Sequence, residues 1–280
     1  MPKLSIITVN YNNLSGLQKT LESVYSQSFK DYEYLIIDGA STDGSKEFIE
    51  TKRNDINYWI SEKDNGVYDA MNKGILRANG KYLLFLNSGD SFFNSDTLSK
   101  LFSYQFDEDF LYGDVVWEKF DASGAQMYQH FPKLISFDYF TKNSLPHQST
   151  LIKKKLFETV GLYDENCRIA ADWAFFILAI YKYNCSYLHI DIPVSICGRD
   201  GISCTPENQH QISLEREFIL NKHFSSFITE LNDYHLLKIE YSKLTNDCME
   251  LKRKLTLAKN AFGYRLQVRL KNILDFKKLV

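Results

Sequence analysis

Four short apolar segments in the first ninety residues predict β-strands. They cover residues 4–9, 34–37, 58–60 and 82–86. Each is rich in branched or aromatic side chains and is followed by polar or glycine residues, as buried strands are. Between them, apolar residues recur at helical spacing over 14–24 and 67–78, and a further helix is expected after Ser45. Strands that alternate with helices predict an α/β fold, in which a parallel sheet is covered by helices on both faces.

The alternation is looser beyond about residue 110. Strands are predicted at 110–117 and 126–131, and helices at 153–160, 172–183 and 207–222. We therefore expect one domain over residues 1–222 and a helical tail over residues 223–280.

The tail has two parts with different patterns. Over residues 237–262, apolar residues alternate by four and three positions, which is typical of a coiled-coil seam. The seam positions are Leu237, Tyr241, Leu244, Cys248, Leu251, Leu255, Ala258 and Phe262. Residues 262–280 form a basic amphipathic segment with five Lys or Arg against one Asp. Such a segment suits an anionic lipid surface or a partner groove, and a helix packed on its own domain is the alternative.

Polar clusters follow three of the predicted strands. They are residues 10–12, 38–41 and 87–90, with the sequences Asn-Tyr-Asn, Asp-Gly-Ala-Ser and Asn-Ser-Gly-Asp. In open α/β sheets, ligands bind outside the carboxyl ends of the parallel strands. The three clusters therefore predict a binding site at one edge of the sheet.

Two common nucleotide-binding motifs are excluded. Residues 39–46, Gly-Ala-Ser-Thr-Asp-Gly-Ser-Lys, nearly match the phosphate loop of nucleotide hydrolases, but the last two residues are inverted. The lysine would be displaced by one residue from the position that reaches the phosphates. No Gly-x-Gly-x-x-Gly motif follows a strand, which disfavours a dinucleotide-binding fold.

Composition argues against nucleic-acid-binding, disulfide-rich and membrane-spanning proteins. Lys and Arg number 33 against 35 Asp and Glu, so the net charge of −2 gives no indication of nucleic-acid binding. The five cysteines include no Cys-x-x-Cys pair, which argues against a disulfide framework or a zinc site and fits a reducing cytoplasm. There is no signal-peptide pattern, and the longest apolar run, residues 173–181, is too short to cross a bilayer. We expect a soluble or peripheral membrane protein.

Three side chains are candidates for chemistry, and each has a simpler alternative. Asp90 follows Gly89 at a strand end, where one carboxylate is enough to hold Mg²⁺ with substrate phosphates, but it can also be a turn residue. Asp172 precedes an apolar helix, where it can act as an N-cap or as a rigidly held general base. His147 can also act as a base, although a lone histidine is more often structural.

Two further polar residues have uncertain roles from the pattern alone. Asp38 ends a strand and can accept hydrogen bonds from a base or a ribose, or it can cap the following turn with Ser41. Asn72 lies inside a predicted helix, where asparagine is unfavourable, and this favours a functional role.

The motifs in their order resemble family-2 glycosyltransferases with the GT-A fold. The resemblance covers about residues 3–220. It is carried by segments 5–13, 21–45, 61–75, 80–92, 145–179 and 201–204. In such enzymes a nucleotide-binding sheet is flanked by helices, which agrees with the α/β prediction.

The resemblance implies a role for each matched residue. The residues implied to bind the donor nucleotide are Thr8, Asn10, Tyr11, Asp38, Asp64, Asn72, Asn87 and Ser88. Asp90 is implied to bind a divalent cation, Mn²⁺ or Mg²⁺. Asp172 is implied to be the catalytic base, and His147 and Trp173 to border the acceptor.

One departure from the family pattern concerns the metal. The family often has Asp-x-Asp-Asp where residues 87–90 are Asn-Ser-Gly-Asp, so two carboxylates are missing. We expect weak metal binding until the diphosphate of the donor supplies further ligands.

The resemblance implies an inverting, metal-dependent hexosyltransferase. Its expected donor is a nucleotide-diphosphate sugar, with UDP as the expected nucleotide, and its expected acceptor is a hydroxyl of a lipid-linked or growing surface glycan. The tail then suggests a homodimer and attachment to the inner face of the cytoplasmic membrane. Two alternatives stay open. One is a sugar-phosphate nucleotidyltransferase, although residues 5–13 lack its glycine-rich basic loop. The other is a non-catalytic scaffold with a degenerate donor site.

Overall fold

A computed structural model describes residues 1–118, 125–198 and 201–276. Its strands are β1 Leu4–Asn10, β2 Tyr32–Asp38, β3 Tyr58–Ser61, β4 Tyr82–Phe85, β5 Ser91–Phe92, β6 Phe110–Trp117, β7 Met127–Gln129, β8 Thr150–Lys153 and β9 Tyr187–Cys197. Its α-helices are α1 Leu14–Tyr25, α2 Ser45–Thr51, α3 Val67–Arg77, α4 Thr97–Leu101, α5 Phe137–Lys142, α6 Leu156–Thr159, α7 Ala171–Ile177 and α8 Gln209–Phe276. A π-helical segment, Leu178–Lys182, continues α7.

The strands form one mixed sheet with helices against it, which confirms the predicted α/β class. The order is β3-β2-β1-β4-β8-β6-β9-β5, and β7 pairs with β6. The first four strands are parallel, as predicted. Beyond β4, where the predicted alternation is looser, the sheet is mixed: β8 runs antiparallel to both β4 and β6, and β9 runs parallel to β6.

Helix α1 shows how local sequence builds this sheet. The side chain of Asn13 caps the helix by accepting a hydrogen bond from Gly16 N at 3.0 Å. Leu17, Leu21 and Val24 lie on one face and are buried in the core cluster that also contains Ile6 of β1. Strand β1 is buried on both faces, which explains its continuous apolar run.

In the second half of the domain, one sequence prediction was wrong and one strand was not predicted. The helix predicted at 153–160 begins only at Leu156, because residues 150–153 form strand β8. Strand β9, Tyr187–Cys197, was not predicted. The signal for it was present, because Leu188, Ile190, Ile192, Val194 and Ile196 alternate with mostly polar residues. A bulge near Asp114 shifts its pairing with β6.

The chain divides into two compact units, Met1–Ile219 and Leu220–Val280. The second unit consists of most of α8. Within this helix Phe224 has non-helical backbone angles, which mark a kink. The boundary lies close to the predicted one at residue 222. Among the described residues, no helix is both long enough and apolar enough to cross a membrane.

Asn72 has a structural explanation that the sequence pattern did not reveal. Its Nδ2 donates to Tyr163 O at 2.9 Å and to Glu165 Oε1 at 3.0 Å. Its Oδ1 accepts from Tyr163 N at 3.0 Å. The amide is 4% exposed and fastens helix α3 to the segment before α7.

We expect Asn72→Ala to destabilise the domain by roughly 2 kcal/mol, because buried polar groups at Tyr163 would lose their partners. The measurement is urea unfolding followed by circular dichroism. Asn65→Ala, at an exposed position just before the same helix, is the matched control and should change stability by less than about 0.5 kcal/mol. Equal effects of the two substitutions would contradict this structural role.

Candidate active site

A cavity of about 770 Å³ opens where the loop after β4, the start of α3 and the start of α7 meet. This volume is in the range of small-molecule sites. Residues that line it include Lys19, Tyr68, Asn87, Ser88, Asp90, His147, Asp172, Trp173 and Arg216. Six of these were predicted as site residues, although they come from segments up to 86 residues apart in sequence.

The loop 87–90 is held rigidly beside helix α1. Gly89 has φ of +105°, a conformation that favours glycine. Thr20 Oγ1 accepts from Gly89 N at 3.0 Å and donates to Asp90 O at 2.7 Å. Strand β4 is therefore followed by a turn whose backbone conformation at residue 89 favours glycine. This turn places Asp90 in the lining of the cavity.

Burial raises the pKa of Asp90 to about 6, even though the charges of His147 and Lys19 and a hydrogen bond with Cys197 favour its ionised form. The carboxylate thus lacks a cationic partner strong enough to offset its desolvation. A bound cation would supply that partner.

The other polar atoms of the loop also fit a cation. Asn87 Oδ1 and Ser88 Oγ are buried and have no hydrogen-bond partner among the described residues. Buried oxygens without partners are rare in folded proteins. Together with the Asp90 carboxylate they form a set of oxygens of the kind that Mg²⁺ or Mn²⁺ accepts.

A second group of potential ligands lies elsewhere. Atoms of Asp114, His130 and Asp191 lie within 4.8 Å of one another. None of the three is among the described residues that line the cavity. The Asp114 carboxylate already accepts hydrogen bonds from His189 at 2.9 Å and Phe131 N at 3.1 Å, which accounts for its burial without an ion.

The carboxylate of Asp172 is held on both oxygens. Oδ1 accepts from Trp173 N at 2.8 Å and lies 2.9 Å from the hydroxyl of Tyr68. Oδ2 lies 2.9 Å from His147 Nδ1. Burial alone would raise the pKa of Asp172, but the hydrogen bond and charge of His147, with the bonds from Tyr68 and Trp173, leave it below the ordinary value. Asp172 is therefore ionised at neutral pH.

Trp173 and Arg216 form the wall behind this carboxylate. The indole is 1% exposed, and its Nε1 donates to Phe140 O at 2.8 Å. The guanidinium of Arg216 lies 5.1 Å from the centre of the indole ring. Trp173 was predicted to border the acceptor, but the guanidinium covers its ring and leaves little of it to contact a ligand.

A second cluster of predicted residues lies at the ends of β1, β2 and β3, outside the cavity lining. Asp38 is fully buried there. It accepts from Asn10 Nδ2 at 2.7 Å, Ser61 Oγ at 2.6 Å and Ser41 N at 3.0 Å. Its carboxylate is used within the protein, which supports the turn-capping alternative for this residue.

Tyr11 and Asp64 lie next to Gly39, which follows Asp38. The ring of Tyr11 is 69% exposed, and Asp64 approaches Gly39 so closely that a β-carbon there would lie 2.5 Å from its Oδ2. Burial raises the pKa of Asp64. Thr8, in contrast, is fully buried and donates to Leu86 O at 2.7 Å. Its side chain therefore links β1 to the residue that follows β4.

Sequence reasoning missed Tyr68, Arg216 and Lys19. Tyr68 and Arg216 lie 104 and 44 residues from Asp172 in sequence, so no local pattern connects them. Lys19 forms an ion pair with Glu118 at 2.7 Å, and its charge acts on Asp90. The family resemblance also suggests that Arg199 lies near the donor phosphates, and this residue is outside the described residues.

Comparison with known proteins places the chain in a family. The family described as Glycosyl transferase family 2 matches residues 5–164. An uncharacterized glycosyltransferase of Mycobacterium tuberculosis is 32% identical over 190 residues, which are 64% of this chain and 69% of that protein. A PGL/p-HBAD biosynthesis glycosyltransferase of Mycobacterium bovis is 32% identical over 185 residues, 62% of this chain and 68% of that protein. A putative teichuronic acid biosynthesis glycosyltransferase of Bacillus subtilis is 28% identical over 149 residues, 51% of this chain and 59% of that protein.

Solved structures share the fold. The crystal structure of S. aureus TarS 1–349 in complex with UDP-GlcNAc has a TM-score of 0.60 and 20% identity, over 80% of this chain and 73% of that chain. A mannosyltransferase from Pyrobaculum calidifontis, in complex with GDP-Man and Mn²⁺, has a TM-score of 0.54 and 18% identity, over 81% of this chain and 64% of that chain. The family match and the shared fold agree with the cavity described above, and the chain belongs to glycosyl transferase family 2.

Proposed function

We propose that this glycosyltransferase moves a sugar from a nucleotide-diphosphate donor to an acceptor hydroxyl with inversion. The observation that carries the proposal is the cavity itself, because it brings Asp90, His147 and Asp172 to one space of suitable size. UDP is the proposed nucleotide, which the UDP-GlcNAc complex of the TarS neighbour supports.

The donor is proposed to lie across the sheet edge. Its base would stack on the exposed ring of Tyr11, and Asp64 would accept from ribose hydroxyls. Asn10 and Asp38 would not contact the base. Their mutual hydrogen bond would instead fix the strand ends that carry Tyr11 and Gly39. The diphosphate would then reach the loop 87–90, where a divalent cation held by Asp90, Asn87 and Ser88 would neutralise charge on the leaving group.

The residues of the chain supply the remaining steps. Asp172 carries the negative charge on which removal of the acceptor proton depends. Lys19 and Arg216 both line the cavity and would supply positive charge to the donor diphosphate. Water and a sugar hydroxyl are both acceptors that this arrangement can activate.

The proposed acceptor is a lipid-linked or growing surface glycan. The support is the description of two relatives as enzymes of PGL/p-HBAD and teichuronic acid biosynthesis. The basic segment 262–280 would hold the enzyme at an anionic membrane surface. Sedimentation with phosphatidylglycerol vesicles tests this, since a chain that lacks 262–280 should remain in the supernatant.

The tail is proposed to form a parallel coiled coil with a second copy. Its seam residues are exposed, Leu244 by 66% and Leu251 by 65%, and a single helix gains no burial from them. In the heptads set by this seam, the flanking e positions include Lys238, Lys252 and Lys259, and the g positions include Asp233, Glu240 and Asp247. In a parallel pair, Asp233 of one chain faces Lys238 of the other and Asp247 faces Lys252, and one pair, Lys254 at g with Lys259 at e, is repulsive. An antiparallel pair opposes lysine to lysine along the e positions.

The parallel pair predicts that Cys248 meets its counterpart in a core layer. Mild oxidation should join two chains through Cys248, and Cys248→Ser should abolish the cross-link. Leu251→Asp should convert a dimer to a monomer by light scattering, because it places a charge in the seam. Ser242→Asp, on the outer face of the same helix, should leave the dimer unchanged. A monomeric wild-type chain would refute the coiled coil.

Asp90→Asn should remove the effect of Mn²⁺ on nucleotide binding. Calorimetry with UDP, GDP, dTDP and CMP, each with and without Mn²⁺, is expected to show one nucleotide that binds the wild-type chain more tightly with metal. The variant should bind it with the same weak affinity in both conditions. Asp55→Asn, at an exposed position, should behave like the wild type. No binding of any nucleotide by the wild type would favour a non-catalytic scaffold.

The same substitution should stabilise the metal-free protein in a pH-dependent way. An acid whose pKa is raised to about 6 binds its proton more tightly in the folded state, so stability falls as the pH rises from about 4 through 6. Asn mimics the protonated acid. The variant should therefore be more stable than the wild type by roughly 1 kcal/mol at pH 8 and equally stable near pH 4, measured by thermal unfolding.

Asp172→Asn should lower turnover by about 10²- to 10⁴-fold and leave the affinity for UDP unchanged. The assay is release of UDP from UDP-GlcNAc, with water as the acceptor. Asp164→Asn, an exposed acid before the same helix, is the control. Turnover that survives in Asp172→Asn would remove this carboxylate from the reaction.

A further inference from the structure

We propose that Glu215, on helix α8, is a positioning residue that keeps the Asp172 carboxylate free to take the acceptor proton. The inference rests on the proposed transfer reaction and adds a residue that lies outside the described lining of the cavity. It begins from the burial of Glu215, which is only 7% exposed. Carboxylates are seldom buried unless they are paired or hydrogen-bonded, so the partners of this one indicate its role.

The partners of Glu215 are three consecutive backbone N–H groups. Oε1 accepts from Arg168 N at 3.0 Å, and Oε2 accepts from Ile169 N at 3.0 Å and from Ala170 N at 2.9 Å. Gln211, one turn earlier on α8, donates to Oε1 at 2.9 Å. Successive N–H groups that converge in this way hold an anion firmly. The carboxylate therefore fixes the backbone of the segment that leads into α7.

The peptide group between Ile169 and Ala170 carries this restraint to the active site. Its N–H donates to Glu215, and its carbonyl, Ile169 O, accepts from the Tyr68 hydroxyl at 2.6 Å. A peptide group is planar, so its N–H and its carbonyl cannot turn independently. While Glu215 holds the N–H, the carbonyl stays directed at Tyr68.

The direction of this carbonyl decides where the single hydroxyl proton of Tyr68 goes. Burial and the charge of Asp172 raise the pKa of Tyr68, so the hydroxyl keeps its proton. The hydroxyl oxygen also lies 2.9 Å from Asp172 Oδ1, and one proton cannot bond both acceptors fully. It goes to the nearer one, Ile169 O, and Oδ1 keeps a lone pair for an acceptor hydroxyl.

Loss of Glu215 would reverse this choice. Once the peptide group is free to turn, Tyr68 would donate to Asp172 Oδ1 instead of to the carbonyl. That bond would occupy the lone pair and stabilise the ionised carboxylate, which makes it a weaker base. Glu215 thus acts on the reaction through the peptide group and Tyr68, without contact with the substrate.

The next residue of α8 lies against the other side of Asp172 in sequence. The guanidinium of Arg216 lies 5.1 Å from the centre of the Trp173 ring. Consecutive residues of α8 therefore contact the segment before Asp172 and the residue after it. The start of α8 is part of the catalytic domain on this account, in agreement with the compact unit Met1–Ile219.

Glu215→Ala and Glu215→Gln test the assignment by kcat for UDP release from UDP-GlcNAc, with water as the acceptor. Alanine removes every acceptor oxygen and should lower kcat by about 10²-fold, because a small displacement at a reacting group is enough for such a loss. Glutamine keeps one acceptor oxygen and should lower kcat by about tenfold. The Kd for UDP should stay within about twofold of the wild type, because the nucleoside is proposed to lie at Tyr11 and Asp64, after β1 and β3.

Gln27→Ala is the matched control for a purely structural loss. Gln27 is 1% exposed, and its side chain accepts from Leu98 N at 3.1 Å and donates to Asn94 O at 2.7 Å. None of these three residues belongs to the described lining of the cavity. We expect this variant to be less stable in urea and to keep the kcat of the wild type.

Tyr68→Phe supplies a readout that a structural role of Glu215 would not change. If Glu215 acts through the Tyr68 hydroxyl, Glu215→Gln should lower kcat by about tenfold in the wild-type background and by less than about threefold in Tyr68→Phe. Two independent losses would instead multiply. Should Glu215→Ala fail to fold, this comparison with Glu215→Gln carries the test alone.

The possible failures are distinguishable. A kcat of Glu215→Gln equal to that of the wild type, or the same loss in both backgrounds, would overturn the inference. A loss of kcat in Gln27→Ala as large as that in the Glu215 variants would leave Glu215 a structural residue only and overturn it as well. Absence of nucleotide binding by the wild-type chain would count against the proposed function itself, whatever the variants do.

Discussion

The hydrogen bonds around the Asp172 carboxylate join segments that are far apart in sequence. Tyr68 belongs to helix α3, His147 to a short 3₁₀ turn before β8, and Trp173 to helix α7. Through His147 the network reaches Asn87 in the loop after β4. Because a buried carboxylate that lost these donors would be costly, the network fixes how the two halves of the sheet enclose the cavity.

The two ends of the site are built by different physical means. At the end proposed for the nucleoside, the buried Asp38 accepts hydrogen bonds from residues at the ends of β1 and β3, and the exposed ring of Tyr11 and the partly exposed Asp64 lie next to Gly39. At the other end, the loop 87–90 leaves oxygens of Asn87 and Ser88 without partners. A scaffold with satisfied hydrogen bonds therefore presents a few unsatisfied groups, which is the arrangement that ligand sites require.

The sequence predicted the first half of the fold better than the second. Strands β1 to β4 are short apolar runs followed by polar clusters, and parallel pairing brings those clusters to one edge. Strand β9 was missed although its apolar residues alternate with period two, and only its pairing with β6 across a bulge near Asp114 lay beyond the sequence. Asn72 and Thr8, which the resemblance assigns to the donor nucleotide, make hydrogen bonds within the protein that the sequence did not reveal. Their partners, Tyr163 and Leu86, lie more than 70 residues away, so a polar residue with a structural role looked like one with a functional role.

The central claim is that one donor molecule spans both ends of the site, with its diphosphate at Asp90. A crystal structure of the protein with UDP and Mn²⁺, with anomalous scattering to locate the metal, tests this most directly. The account predicts a manganese peak within bonding distance of the Asp90 carboxylate and the uracil against the ring of Tyr11. A nucleotide bound away from these residues, or a metal held by Asp114, His130 and Asp191 instead, would contradict it.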